Sequence, residues 1–350
     1  MEDKYFKGRG AQFNTRNSFL KNEYVFEHIE GLDEEYMERP RTQIFYESPQ
    51  NIVNKVESPD LRFSWSMNPY QGCEHGCIYC YARNVHEYWG FSAGIDFETK
   101  IIVKPEAPQL LEKFFNRPSW KATPIMLSGN TDCYQPLERK FQITRNILKV
   151  FAKYGNPVGI VTKNSLILRD LDVLKDLSSE GLVHVFLSVN SLDENLRRIM
   201  EPRTASAKKR IETIARLSEA GVPSGVMVAP IIPALNSKDI VRIVEKASKA
   251  GALAAAMTVV RLNGAIKHLF KDWLEKNFPE RFNKVWHQIE HLHNGQVNDS
   301  EWGRRMRGEG PISDAIVSMF KTAVKHHFKG RVLPPLNVDR FRKGGTLNLF

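Results

Sequence analysis

Asn68-Pro-Tyr-Gln-Gly-Cys73-Glu-His-Gly-Cys77-Ile-Tyr-Cys80-Tyr-Ala-Arg83 gathers three of the chain's four cysteines into eight residues. The spacing, C-x3-C-x2-C, is short enough for Cys73, Cys77 and Cys80 to reach one cluster, and Gly72 and Gly76 free the backbone to wrap around it. An oxidised secreted framework spreads and pairs its cysteines, so this crowding points to metal or redox chemistry. Iron-sulfur cubes usually take four cysteines. Three leave one iron open, and an open position lets a metal site bind a substrate or cofactor directly. Two readings compete: a zinc site completed by His75 or His86, although zinc ligand pairs normally lie well apart in sequence, and three inert buried thiols.

Outward from this loop, short β-rich runs alternate with helical patterns from about residue 61 to 262. The runs are 124–128, 158–162, 183–189, 225–229 and 255–260, with helix-like stretches near 138–154, 170–180, 192–220 and 238–250. Such alternation implies βαβ units and a parallel sheet, an α/β fold. The runs are nearly continuous in apolar character, as expected of strands covered on both faces. One more run leading into the cysteines makes six strands. Polar residues gather at their carboxyl ends: Ser128 to Asp132, Thr162 to Ser165, Ser188 to Asn190, and Arg261-Leu-Asn263. Ligands sit at that end in open sheets and in barrels alike.

Residues 1–60 show little periodicity and read as an N-terminal extension over a core at 61–262. Residues 263–350 read as a C-terminal helical extension, with helices near 265–275, 280–294 and 311–328 and the basic tail Arg340-Phe-Arg-Lys343. The 350 residues carry 42% hydrophobic and 26% charged side chains, a composition that excludes disordered and collagen-like chains. The longest nearly apolar stretch, 251–260, is far short of the ~20 residues of a membrane span. The first ten residues mix both charge signs without an apolar run, which makes the cytoplasm the expected location. A formal charge of +10 favours an anionic partner such as nucleic acid, a nucleotide or a phosphorylated substrate.

The cysteine loop, with the aromatic Tyr79 before its last cysteine, resembles the signature of the radical S-adenosylmethionine (SAM) enzymes. Its flanks are similar to the branch containing spore photoproduct lyase and "DNA repair photolyase"-like proteins. That likeness continues through Thr131-Asp-Cys-Tyr-Gln-Pro-Leu-Glu138, Thr162-Lys163, Glu201-Pro-Arg203 and Pro230-Ile-Ile-Pro233, about 200 residues in all. The resemblance implies a partial (β/α)₆ TIM-like barrel with a [4Fe-4S] cluster in the loop after the first strand. SAM would chelate the open iron, and reduction by a donor such as flavodoxin or ferredoxin would release methionine and a 5′-deoxyadenosyl radical that abstracts hydrogen from the substrate. The cofactor carries the hard chemistry and the protein positions it.

On this resemblance Cys73, Cys77 and Cys80 hold the metal. Thr131 and Asp132 occupy the position of the segment that contacts the methionine amino group, with a capping turn as the alternative. Lys163 pairs with the methionine carboxylate, unless it is merely solvated. Ser188 and Asn190 share one face of a strand end and suit the ribose hydroxyls or the carboxylate. Arg203 suits a carboxylate, or else a salt bridge to Glu201 or Glu138. Tyr79 is expected against adenine, and His75 and His86 as supporting or surface residues. Ser191-Leu-Asp-Glu194 reads as a capping box, and Lys208-Lys-Arg210 as a solvated face.

Spore photoproduct lyases use an additional cysteine to return hydrogen to thymine. Cys133 is the remaining thiol here, a candidate hydrogen donor or a small buried hydrophobe. It follows the Thr-Asp pair, whereas the lyase cysteine is expected before it, where this chain has Gly129. Trp302 with Arg304, Arg305 and Arg307 could stack bases and neutralise phosphates. The expected substrate is a nucleic-acid base, in repair or modification; a small molecule or protein is the enzymatic alternative. A metal-stabilised nucleic-acid-binding or sensor module is the non-catalytic one.

Overall fold

Strands built from Val, Ile and Leu bury one face and pair with their neighbours; helices that follow each strand return the chain to the starting edge. The computed structural model describes residues 5–19, 41–61 and 63–345. Parts of the expected N-terminal extension (1–4 and 20–40), Arg62 and 346–350 lie outside the described residues. The strands are β1 (Gln43–Tyr46), β2 (Val53–Lys55), β3 (Trp65–Met67), β4 (Tyr70–Gln71), β5 (Lys100–Val103), β6 (Ile125–Leu127), β7 (Val158–Thr162), β8 (Val183–Ser188), β9 (Ser224–Ile231) and β10 (Ala254–Val259).

The main sheet runs β10-β9-β8-β7-β6-β3-β2, with β2 antiparallel and the other six parallel. The six parallel strands lie side by side in chain order. A doubly wound sheet reverses order at a switch point; sequential order is that of a (β/α) barrel, here partial, because β10 and β3 do not pair. A smaller sheet, β1-β5-β4, anchors the entry to the cysteine loop through Tyr70 opposite Val103 and Gln71 opposite Ile102.

In β7 and β8 burial alternates, so that one face is sealed more tightly than the other. Val158, Ile160, Val183, Val185, Val226 and Val228 are buried against Ile147, Phe151, Leu174, Leu217 and Ile243 of the covering helices. Gly159, Val161, His184 and Phe186 alternate with them and are half-buried, so the continuous apolar runs do not mean two sealed faces. The second face lines the inside of the partial barrel.

The expected helix 192–220 is two helices, Glu194–Met200 and Ala207–Glu219. The break falls at Glu201, φ −137° and ψ 62°, because a residue before proline is driven out of the α region. Asp193, not Ser191, caps the first of them, accepting from the amides of Asn195 and Leu196. Ser191 instead donates to Asp239 at 2.7 Å.

Beyond β10, the helices Ile266–Asn277 and Phe282–Leu292 form a second apolar core with Ile78, Leu196, Met200 and Ile232 behind the cysteine loop. The basic tail crosses the opposite end. Arg331 donates to the carbonyl of Ala252, His184 bonds that of Pro334, the Asn337 amide meets Gly181, and Arg342 pairs with Glu180 at 2.5 Å. The tail therefore straps the amino ends of β7, β8 and β10.

Candidate cluster and cofactor site

The cysteine loop leaves the carboxyl end of β3 and is held along its length by backbone bonds. The Cys73 amide donates to Phe97 at 2.9 Å, Ile78 to Met200 at 3.1 Å and Cys80 to Cys77 at 3.3 Å. Gly76 adopts φ +66°, and a Cβ there would lie 2.7 Å from a Glu98 carboxylate oxygen. Glu98 and Arg83, both fully buried, form an ion pair of 2.5 Å beneath the loop. Arg83 Nε donates to the Cys77 carbonyl at 2.9 Å, and Glu98 accepts from the Gly10 and Ala11 amides at 3.1 and 2.8 Å. The N-terminal residues 9–11 thus pack on the back of the loop. Neither Arg83 nor Glu98 carries a signal in the sequence that distinguishes it from a surface charge.

All four cysteines are free. The two histidines differ in their surroundings, and both ring nitrogens of His86 are buried without a hydrogen-bond partner among the described residues. His86 is buried among aromatic rings, 5.2 Å from Phe91 and 5.6 Å from Phe97. His75 is 1% exposed, 3.3 Å from Asp132 and 3.3 Å from Asn164. What remains is three thiols from one loop without a fourth protein ligand, the donor set that suits a [4Fe-4S] cluster with one open iron. Burial pushes the thiols of Cys77 and Cys80 upward, Cys80 to about 11; a coordinated metal reverses that preference.

Asp132 does not offer a free oxygen to an ammonium. It accepts from Thr162 Oγ1 at 2.7 Å, the Lys163 amide at 2.8 Å and the Tyr134 amide at 2.9 Å, and pairs with His75. Burial would raise its carboxyl, but His75 and these donors hold it at about 2. For His75, burial is outweighed by Cys73 and Asp132, which raise it to about 9. Thr131 likewise faces the loop backbone, donating to the Gly72 carbonyl at 2.7 Å beside Gln135. As placed, both residues brace the β6 turn and β7 against the cysteine loop.

Lys163, Ser188, Tyr79 and Asn190 do come together. Lys163 Nζ donates to Ser188 Oγ at 2.7 Å, lies 3.9 Å from Glu201 and sits 5.9 Å from the centre of the Tyr79 ring. The Tyr79 hydroxyl donates to buried Glu201 and accepts from Asn190 Nδ2 at 3.3 Å. Glu201 is held in turn by Arg210, at 2.5 Å, whose other nitrogens reach the carbonyls of Ser188 and Ala205. Burial would raise Glu201, yet Arg210, Lys163 and Tyr79 lower it.

Four expectations need correcting. Arg203 pairs with Glu74 at 3.2 Å, not with Glu201 or Glu138, whose partners are Arg210 and Arg169. Cys133 is 0% exposed and packs in the core with Met67, Tyr70 and Ile143, the place of a small buried hydrophobe. Arg210 is buried, although Lys208 beside it is solvated. Arg304, Arg305 and Arg307 are not unpaired cations: each has a carboxylate partner, Asp299, Asp60 and Asp314.

The Radical SAM superfamily model matches residues 67–247. An uncharacterised protein of Mycobacterium tuberculosis (strain ATCC 25618 / H37Rv) is 33% identical over 234 residues, 66% of this chain and 69% of that protein. An uncharacterised protein of Methanocaldococcus jannaschii is 30% identical over 230 residues, 66% of this chain and 82% of that one. In fold the chain is similar to spore photoproduct lyase complexed with dinucleoside spore photoproduct, with a TM-score of 0.60 at 15% identity, covering 87% of this chain and 86% of that one. Together with the three-thiol loop and the sequential parallel strands, these matches establish that the chain belongs to the radical SAM superfamily, whose enzymes use a [4Fe-4S] cluster and SAM and need an external reductant.

Proposed function

We propose that this radical SAM enzyme acts on a base of a nucleic acid. One observation carries the substrate reading. A cleft of about 730 Å³ opens beside Tyr81, the residue after the third cysteine, and is walled by Phe19, Tyr88, Arg16, Asn84 and Asn263. Phe19 and Tyr88 stack at 4.4 Å and are 54% and 71% exposed, a costly display of aromatic surface unless a planar ligand uses it. The net charge of +10 draws a polyanion to the same molecule, and the structurally similar spore photoproduct lyase holds a dinucleoside.

When bound, the cluster and SAM supply a 5′-deoxyadenosyl radical on one-electron reduction. In this reading Cys73, Cys77 and Cys80 hold the cluster. Lys163, which donates to Ser188 Oγ and stands 3.9 Å from Glu201, binds the methionine carboxylate, and Ser188 and Asn190 orient SAM from the end of β8. Asp132, Thr131 and Glu201 keep those groups in place. Among the described residues no helix is long and apolar enough to cross a membrane.

The test is anaerobic reconstitution followed by dithionite reduction with SAM. About four irons per chain and formation of 5′-deoxyadenosine are expected. Oligonucleotides should then bind and should raise the yield of 5′-deoxyadenosine. One zinc per chain, or an intact cluster that never cleaves SAM, refutes the catalytic reading; indifference to every oligonucleotide refutes the substrate reading.

A further inference from the structure

Arg261 follows β10 at the carboxyl end of the sheet, half-buried and within electrostatic reach of Tyr81. The charges around it are already committed. Asp60 accepts from Arg305 at 2.6 Å and from the Gly303 amide at 2.6 Å, while Arg304 occupies Asp299 and lies 3.5 Å from Glu309. Arg305 also stacks on exposed Trp302, 3.8 Å from the ring centre. Arg261 itself makes no hydrogen bond and no ion pair among the described residues. Burial works against its charge first and Arg305 second, while Tyr81, Asp60 and Asp299 offset part of this without forming an ion pair to it. A half-desolvated guanidinium without a partner, pressed by a like charge, is unfavourable unless an anion joins it.

A second unspent group lies two residues on. Asn263 Oδ1 is buried with no hydrogen-bond partner, on a residue that lines the aromatic cleft. The Asn263 carbonyl accepts from Asn84 Nδ2 at 2.8 Å, which fixes this turn to the cleft wall. The fork of Arg261 thus stands two residues before Asn263, which lines the cleft of stacked rings. The fork suits a phosphate or a carboxylate equally; the rings favour the ligand that carries a base.

We propose that Arg261 binds a backbone phosphate of the substrate nucleic acid at the mouth of the barrel. This rests on the nucleic-acid reading above and adds its anchoring point. The test titrates reconstituted protein into a short fluorescein-labelled single-stranded oligodeoxynucleotide at several salt concentrations. Wild type should bind with salt-sensitive affinity. Arg261→Gln should bind about tenfold or more weakly and lose about 0.7 from its log–log salt slope. Arg261→Lys should keep the slope while losing part of the affinity. Lys208→Gln, which removes an equal charge from an 88% exposed position, should change neither. Wild type that binds no oligonucleotide overturns the substrate reading and this proposal with it. Binding by wild type and Arg261→Gln with equal affinity and slope overturns Arg261 alone. A fall in Tm of Arg261→Gln that accounts for its lost binding would also overturn it, since an unpaired cation beside Arg305 should not be needed for folding.

Discussion

Replacing Arg210 with Met strands a buried carboxylate at the heart of the cofactor site. Arg210 is 1% exposed and Glu201 0%, and their contact is 2.5 Å. Met fills most of the aliphatic volume, so the loss is chiefly electrostatic. Glu201 would keep the Tyr79 hydroxyl, Thr204 Oγ1 at 3.5 Å and Lys163 at 3.9 Å. Breaking a buried pair this way costs about 3–5 kcal/mol. Unfolding entropy of about 2.1 cal/mol/K per residue gives roughly 0.7 kcal/mol/K for 350 residues, so Tm should fall by about 4–7 °C. Glu201→Gln in the same chain removes the stranded charge and should return part of that loss. Function should suffer as well, because Lys163 becomes the remaining cation near Glu201 and is drawn off Ser188, raising the KM for SAM. Calorimetry of wild type and the two variants, with 5′-deoxyadenosine formation against SAM concentration, checks both parts. A Tm within about 1 °C of wild type, or a double variant less stable than Arg210→Met alone, would refute the reasoning.

Lys163→Met should raise the KM for SAM by about tenfold or more while iron content stays at the wild-type level, read from initial rates and iron analysis on the same sample. Cys133→Ala should leave 5′-deoxyadenosine formation and substrate turnover unchanged and lower Tm by only about 1–2 °C; a selective loss of turnover would restore the sulfur to the chemistry. His86→Phe concerns acid stability. Burial, chiefly, lowers His86 from 6.5 to about 4. Between those values the unfolded chain binds a proton that the folded one refuses, so stability is lost as pH drops from 6.5 toward 4, by at most about 3 kcal/mol. Phe between Phe91 and Phe97 should flatten this part of the Tm–pH curve, and an unchanged slope would show that His86 is not its source.

The parallel sheet was legible because its strands are short apolar runs with polar carboxyl ends, and the metal loop because three thiols at fixed spacing have few other uses. Orientation within the buried face was harder. Arg210 follows two solvated lysines in sequence, yet it falls on the stripe of Ala207, Ile214 and Leu217, all buried on one side of their helix. That helical spacing was the available signal, and the charge run concealed it. Asp132 shows the converse. An acidic residue at the right strand end looks like a ligand for an ammonium, but Thr162, His75 and two amides consume its oxygens. Composition at a position reveals a capacity to bind; only the fold reveals whether neighbours have already used it. Arg83, Glu98 and Gly10 meet across 88 residues of sequence and could not be paired by any local pattern.

The accounting of charge at the barrel mouth then narrows what the ligands must be. Glu98, Glu74, Asp132 and Glu201 are each tied to a cationic residue of the protein, Arg83, Arg203, His75 and Arg210. These carboxylates hold the loop and strand ends and have little left for a ligand. The cations are not matched in the same way. Lys163 reaches a carboxylate only at 3.9 Å, and Arg261 feels Asp60 and Asp299 only at a distance and forms no ion pair among the described residues. The site is therefore short of negative charge at two separate points, one facing Tyr79 and Ser188 and the other beside Tyr81 and the aromatic cleft. A cofactor with a carboxylate and a substrate with a phosphate would supply one anion to each. Because salt screens charge attraction and competes for the phosphates, binding of the two ligands should tighten as salt falls, with Lys163 governing the dependence for SAM and Arg261 that for the oligonucleotide.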